Sequence, residues 1–282
     1  MGIPVTVIVA TRNEEARIGR CLEALQGFDE IIVLDSNSLD HTCVIARAAG
    51  ARVENFTWDG RYPKKRQWAL DNLTLQHERV FFVDADEYVT PELKAEIAAL
   101  GWQKPGYFVK GRYIFAGKLL QHGLCNNKLA LFDRRKFYFP EVDDLDLPGM
   151  GEIEGHYQPL SRDASVSCGQ VRAYVIHDAY DENWMARHLR YAAWEAGMNE
   201  RQAWPGETTQ GRRFMKAVFR ALPFRPFAAF LHSYILKRGF LDGGRGFRFA
   251  KSRAVYYQMI SSASKDRAAS AAPSTFQPVP DK

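Results

Sequence analysis

The stretch VFFVDADEY, Val80 to Tyr88, constrains this chain most. Its apolar run, β-branched and aromatic, reads as a strand buried on both faces. The run leads directly into Asp84, Asp86 and Glu87, and carboxylates do not stay unpaired in an apolar core. The strand is therefore expected to end at Asp84, at the carboxyl edge of a sheet, where open α/β folds place ligands. Carboxylates at such an edge suit a hard divalent cation, Mg²⁺ or Mn²⁺, that keeps open positions for phosphate oxygens. Thr90, Pro91 and Glu92 read as the cap and first turn of a following helix. An ordinary strand running into an acidic helix start has the same pattern, so the stretch needs support from its surroundings.

Upstream, IPVTVIVA (Ile3 to Ala10) and EIIVL (Glu30 to Leu34) are strand-like, each followed by a polar turn and a helical pattern. A short third strand is expected at Ala51 to Val53. This is βαβαβ, with connections long enough for right-handed parallel crossovers. No GxGxxG follows the first strand and no Walker sequence is present, which argues against a dinucleotide dehydrogenase or a P-loop enzyme. In RYPKKRQWALDN (Arg61 to Asn72) a basic loop enters a helix. Such an arrangement serves a diphosphate, or it is a solvated turn. Downstream, strands are expected at Gly106–Phe115, Lys128–Phe132 and Val171–His177. Between the last two lies an acidic, glycine-rich interval, Asp143 to Tyr157. Its glycines suggest close backbone approach, and Met150 and Tyr157 read as packing residues.

Composition bounds the rest. With 282 residues, 46% of them apolar, the chain can build a large core. The four cysteines have no metal-ligand spacing, so reduced thiols are expected. No apolar run reaches spanning length, and the chain enters a strand pattern without a basic, apolar leader, which points to a cytoplasmic location. The net charge of +5 is unevenly placed: residues 201–282 carry 15 Lys and Arg against 4 Asp and Glu, leaving an acidic body before them. GRRFMKAVFRAL and PFAAFLHSYILKRGF combine aromatic and basic residues on short helical patterns. Helices of that kind suit a membrane interface, although a packed helical appendage reads similarly. The Ala/Ser/Pro-rich residues 263–282 are expected to be disordered.

Taken in order, VIVATRNEEARIGRCLEAL, EIIVLDSNSLDHT, KRQWAL and VFFVDADEYV resemble the family 2 glycosyltransferases of the GT-A fold. Within that family the likeness is greatest to bacterial enzymes that build lipopolysaccharide core and related surface glycans. The resemblance covers about the first 180 residues. It implies an α/β, Rossmann-like domain with a mostly parallel central sheet flanked by helices over residues 1–178. A helical, basic, amphipathic appendage would follow over 179–262. It implies an inverting transfer from a nucleoside-diphosphate sugar, with a lean to UDP, to a glycan or glycolipid acceptor at the inner face of the plasma membrane.

The same resemblance suggests residue roles. Ala10, Thr11, Asn13, Glu14, Asp35, Ser36 and Ser38 would face the nucleotide, with Asp35 receiving the base. Lys65 and Arg66 would lie near the diphosphate. Asp84 and Asp86 match the metal-binding DxD, with Asp84 also near the donor, and His177 would return to the metal. The general base would be Glu152, then Glu154, with Asp144 a distant third; a Gly precedes Glu152 where the family commonly has a His. His156 is a further, weaker metal or acceptor-site residue. A nucleotidyltransferase would need a Gly-rich basic loop where TRNEE stands. A nucleic-acid-binding protein would leave Asp35, Asp84 and Asp86 without a role, so no nucleic-acid partner is expected.

Overall fold

The computed structural model describes residues 2–155, 157–207 and 210–271; His156 and residues 272–282 lie outside them. The chain runs β1 (Ile3–Thr11), α1 (Glu15–Ala24), β2 (Phe28–Asp35), α2 (Thr42–Ala48), β3 (Arg52–Asn55), α3 (Lys65–Asn72) and β4 (Arg79–Asp84). Next come β5 (Glu87–Val89), α4 (Pro91–Ala98), β6 (Gly106–Phe115), β7 (Lys118–Leu119) and β8 (Asn126–Asp133). After β9 (Phe137–Tyr138), β10 (Leu160–Ser161) and β11 (Gly169–His177), four helices close the described chain: α5 (Trp184–Arg201), α6 (Gln210–Ala221), α7 (Arg225–Leu231) and α8 (Gly243–Ala271).

The central sheet has nine strands. Eight follow the order β3-β2-β1-β4-β8-β6-β11-β5, and β7 pairs with β6 outside that path. β3, β2, β1 and β4 are mutually parallel. β8 runs against them, and β6 and β11 run with them. This is the mostly parallel α/β sheet that the sequence pattern implied. Alternation along the strands builds two cores. Val5, Val7, Val9, Phe81 and Val83 pack on one face with Ile18, Leu22, Leu93 and Ile97. Ile8, Val80, Phe82 and Phe132 pack on the other with Ala69 and Leu70. The strand of the acidic stretch is thus buried on both faces between Arg79 and Asp84, which bound it.

The glycine-rich acidic interval folds over α5 around its own small core of Val142, Leu147, Met150, Tyr157, Trp194 and Met198. Gly149 has φ +114°, and a Cβ there would lie 2.2 Å from the Arg190 carbonyl oxygen. At Gly155 a Cβ would lie 2.5 Å from the Trp194 ring. The expected close backbone approach is therefore to α5.

The helical region packs as a layer. Ala192, Tyr256 and Ile260 join α5 to α8, and buried Glu195 holds both Arg225 and the Tyr256 hydroxyl at 2.9 Å. Residues 263–271, expected to be disordered, continue α8. The correction has a physical reason: the Ala-rich run KDRAASA has high helix propensity, and Arg267 pairs with Glu200 of α5 at 2.6 Å.

Gly149→Ala is expected to lower the unfolding free energy by about 2 kcal/mol or more, from the left-handed strain and the clash combined. Urea denaturation measures it; an unchanged midpoint would mean that this loop is not seated on α5.

Candidate functional site

Strand register assembles the site. Thr11 pairs with Asp35 and Ala10 with Asp84, so the carboxyl ends of β2, β1 and β4 align. β5 then turns back along β11 and sets Glu87 opposite His177, which brings His177 to Asp86. Candidates separated by more than 160 residues thus reach one sheet edge.

On the nucleotide side the loop after β1 locks onto the loop after β2. Thr11 Oγ1 donates to Asp35 Oδ1 at 3.1 Å, and the Ser38 amide donates to Asp35 Oδ2 at 2.8 Å. The Asn13 amide donates to Ser38 Oγ, and Asn13 Oδ1 accepts from the Leu39 amide, both at 2.8 Å. The Glu14 amide donates to Thr42 Oγ1 at 2.7 Å. Burial would raise the Asp35 carboxyl, but hydrogen bonds from Ser38, Cys43 and Thr11 outweigh it and hold the value below the usual range. Asp35 and Ser36 are both almost fully buried. Asp35 therefore braces this loop, while Ser36 Oγ is buried with no hydrogen-bond partner among the described residues. Burial, then Asp86, pushes the Glu14 carboxyl up to about 7.

The acidic stretch is organised by cations. Asp84 Oδ1 accepts from Arg66 Nη2 at 2.8 Å, and Oδ2 accepts from Lys128 Nζ at 2.5 Å. Lys128 also reaches Glu87 Oε1 at 2.8 Å, and Glu87 Oε2 accepts the Asp84 amide at 3.1 Å. Burial opposes ionisation of Asp84, but Lys128 and Arg66 overcome it and hold the carboxyl far below its ordinary value. Lys128 is raised in turn: burial disfavours its charge, and Asp84 and Glu87 more than restore it.

Asp86 faces His177, whose Nε2 lies 3.4 Å from Asp86 Oδ2. Burial lowers the His177 value, yet Asp86 raises it further, so the net shift is upward. The His177 ring stacks on Tyr113 at 5.0 Å, and its Nδ1 is buried without a hydrogen-bond partner among the described residues. A carboxylate beside an imidazole, with a buried ring nitrogen unsatisfied, is a donor set that suits a divalent cation with open positions. Among the described residues no group of three or more His, Cys, Asp or Glu is gathered as a ready metal site. Asp84 is turned to Arg66 and Lys128 instead.

The basic loop and the acidic interval clasp one another. Lys64 Nζ donates to Asp144 Oδ2 at 2.7 Å in an almost fully buried pair, and Trp194 Nε1 donates to the same oxygen at 2.8 Å. The Lys65 amide donates to the Glu152 carbonyl at 2.9 Å, and Lys65 Nζ donates to the Thr11 carbonyl at 2.7 Å. Burial lowers Lys65 to about 8 despite Glu152 and Asp35 nearby. Glu154 accepts the Arg66 amide at 2.8 Å and the Gln67 amide at 2.9 Å. Its carboxylate is committed to capping the start of α3, and it is 2% exposed. Glu152 keeps a partly exposed carboxylate, 3.9 Å from Lys65 Nζ.

The structure thus gathers Thr11, Asp35, Lys65, Arg66, Asp84, Asp86, Glu152 and His177. It sets Glu154 and Asp144 into supporting contacts. Sequence reasoning passed over Lys128, although a lysine inside an otherwise apolar strand pattern is itself a signal of a buried acid nearby. It also passed over Arg17 and Asp181, an ion pair that joins α1 to the segment after β11.

With this geometry in place, the sequence comparison is decisive: residues 6–166 match the family described as Glycosyl transferase family 2. The chain belongs to that family. It is 35% identical over 94 residues to an uncharacterized glycosyltransferase of Rickettsia bellii, covering 33% of this chain and 31% of that protein. It is 31% identical over 123 residues to the lipopolysaccharide core biosynthesis glycosyltransferase LpsC of Rhizobium meliloti, covering 41% and 44%. These matches span less than half the length of either relative. Among solved structures it is similar to glucosyl-3-phosphoglycerate synthase from Mycobacterium tuberculosis, described in complex with Mn²⁺, UDP and glucosyl-3-phosphoglycerate. That likeness has 27% identity, 40% and 45% coverage and a TM-score of 0.30, too low to bear on the geometry.

Lys128→Met is expected to destabilise the protein by about 3 kcal/mol, because Asp84 and buried Glu87 lose their cation. The depressed Asp84 value makes its contribution complete above its ordinary value of about 4 and diminishing as pH falls below it. The stability gap between wild type and Asp84→Asn should therefore narrow on acidification from about pH 6 to about pH 3; a gap that widens would contradict the pairing.

Proposed function

We propose that the protein transfers a sugar from a nucleoside-diphosphate sugar to a hydroxyl of a glycan or glycolipid acceptor, with inversion. The observation that carries this reading is the shared edge of β1, β2 and β4. There a nucleotide-sized loop, three cations and the Asp86–His177 pair converge beside a loop bearing Glu152. The nucleoside lies against Thr11, Asn13, Glu14, Asp35, Ser36 and Ser38, next to Ala10. The diphosphate lies towards Lys65, Arg66 and Lys128, and Arg66 and Lys128 release Asp84 in part as they take up phosphate oxygens. Asp86 and His177, with Asp84 beside them, hold Mg²⁺ or Mn²⁺. When bound, that ion offsets charge on the departing diphosphate.

Glu152 is the base. It takes the proton from the acceptor hydroxyl as that oxygen attacks the anomeric carbon. The bond from the anomeric carbon to the diphosphate oxygen breaks, and the nucleoside diphosphate leaves with the bonding electrons. Glu154 is the less suited of the two acids because its lone pairs are occupied by amides. The LpsC likeness supports a lipopolysaccharide-core type of acceptor, and a nucleotidyltransferase is the weaker reading because the loop after β1 lacks glycines and paired cations.

The reading includes a membrane-facing surface. Lys216 and Arg220 of α6 turn inward: Lys216 pairs with Glu207, and Arg220 lies 4.0 Å over the Trp204 ring. The apolar face is left outward, with Phe214, Met215, Val218 and Leu222 exposed and Phe224 and Phe227 continuing it. Arg213, Lys237 and Arg238 are exposed as well. An apolar ridge set with cations complements an anionic bilayer surface. No helix among the described residues is long and apolar enough to cross a membrane.

A panel of UDP-, GDP- and dTDP-sugars, scored by Mn²⁺-dependent hydrolysis and thermal stabilisation, tests the activity. At least one donor should respond, and a silent panel sinks the reading. Asp86→Ala should lose metal-dependent donor binding. Glu152→Ala should retain binding and lose about 10²-fold or more in turnover; full activity in that variant moves the base elsewhere. For the surface, flotation with anionic vesicles should retain wild type, and Phe214→Ser with Phe224→Ser should release it. Equal flotation of the double variant would remove these residues from the interface.

A further inference from the structure

Most cations around the site have an acid. Lys64 has Asp144, Arg66 has Asp84, Lys128 has Asp84 and Glu87, Arg187 has Asp181, and Arg225 has Glu195. Arg253 of α8 differs. It is partly buried, and phenols stand around it, those of Tyr180, Tyr257, Tyr113 and Tyr256. Its guanidinium carbon lies 5.6 Å from the centre of the Tyr256 ring. The Tyr180 hydroxyl, 3.0 Å from Ser252 Oγ, and Tyr257 lie in its neighbourhood. Its Nε is buried and has no hydrogen-bond partner among the described residues. No carboxylate among the described residues forms an ion pair with it.

The surroundings reinforce a positive field. Burial, then Lys237 and Arg253, hold His232 below its ordinary value. His232 opens a π-helical turn, His232–Leu236, a geometry that concentrates at functional sites. Tyr113 connects this cluster to the catalytic edge. Its ring stacks on His177 and packs against Phe249 at 5.3 Å and Tyr180 at 5.8 Å. Arg253 therefore adjoins the His177 end of the site and belongs to a different element from every cation placed at the diphosphate.

A partly buried guanidinium supported only by neutral phenols lacks the counter-charge that such groups normally acquire. We infer that Arg253 binds an oxyanion, a phosphate or a carboxylate carried by the acceptor, with the Tyr180 and Tyr257 hydroxyls completing its coordination. Assigning that oxyanion to the acceptor rests on the transferase reading; the oxyanion site itself does not. α8 reaches the end of β6 through Phe249, which packs on Tyr113 and Phe115, and so brings the Arg253 charge to the acceptor side.

The test is calorimetric titration of the full chain with inorganic phosphate and, separately, with acetate, with neither metal nor nucleotide added. One of the two should bind, phosphate for a phosphoryl group and acetate for a carboxylate. Arg253→Gln should weaken that binding by about tenfold or more, and Arg253→Lys by less. Tyr257→Phe, which keeps the ring, should weaken it severalfold and stands in if Arg253→Gln does not fold. Arg248→Gln, at an exposed position on the same helix, should bind as wild type does. Binding of neither anion, or equal binding by Arg253→Gln, overturns the site whatever the donor panel shows. During hydrolysis of the donor by water, the binding anion should leave the donor KM unchanged. A raised KM would place the oxyanion on the donor and overturn the acceptor assignment.

Discussion

The site depends on the pairing of Asp84 with Lys128 and Arg66. Three parts of the chain meet there: the end of β4, the first half of β8 and the start of α3. A strand buried on both faces can end in a carboxylate only if cations reach it from neighbouring elements. β8 supplies one by running antiparallel beside β4. α3 supplies the other, and it can do so only because Glu154 caps its first turn. The charges therefore form a relay from the acidic interval through Glu154 and Arg66 to Asp84, Lys128 and Glu87. Removing Lys128 takes the lysine from buried Glu87 and leaves Asp84 with Arg66 alone, which is why the interaction matters more than its single hydrogen bonds suggest.

The same relay explains how the acidic interval is held against the end of β4. The interval from Asp143 to Gly155 has almost no regular structure, yet it is fixed at several points. Asp144 is locked between Lys64 and Trp194, Glu152 accepts the Lys65 amide, and Glu154 caps α3. Gly149 and Gly155 let the backbone lie on α5 without a side chain in the way. The Glu152 carboxylate is held more loosely, partly exposed and 3.9 Å from Lys65 Nζ. A set position with lone pairs still reachable is what the proposed general base requires.

Much of this was legible in the sequence because it depends on short-range pattern. The double-faced apolar run ending at Asp84 and the crossovers after β1 and β2 follow from strand periodicity and chain order, whereas the approach of His177 to Asp86 was expected only from the family resemblance. The supporting pairs were not legible. Lys64 and Asp144 are 80 residues apart, and nothing local distinguishes a lysine that will be 2% exposed from one in a solvated basic turn. Glu154 and Glu152 look equivalent in sequence, and only the position of the α3 N-terminus separates them. The tail failed for a different reason. An Ala/Ser-rich composition reads as disorder when taken alone, but Arg267 finds Glu200 and the helix continues.

The C-terminal layer is best understood by asking why its apolar residues face outward. Phe219 packs against Tyr257 at 5.0 Å, and Arg225 lies 5.1 Å from the centre of the same ring. α6 is therefore anchored through its aromatic and basic side chains, and the contacts that hold it use up the cations that would otherwise solvate its surface. The apolar ridge from Phe214 to Phe227 is a direct consequence. An ordinary appendage would bury that ridge and expose Lys216 and Arg220. Here the arrangement is reversed, and only a surroundings less polar than water lowers the cost of the exposed face. The layer that bears this ridge also carries Arg253 to the neighbourhood of Tyr113 beside His177, so the proposed bilayer-facing surface and the proposed acceptor-side anion site belong to the same helices.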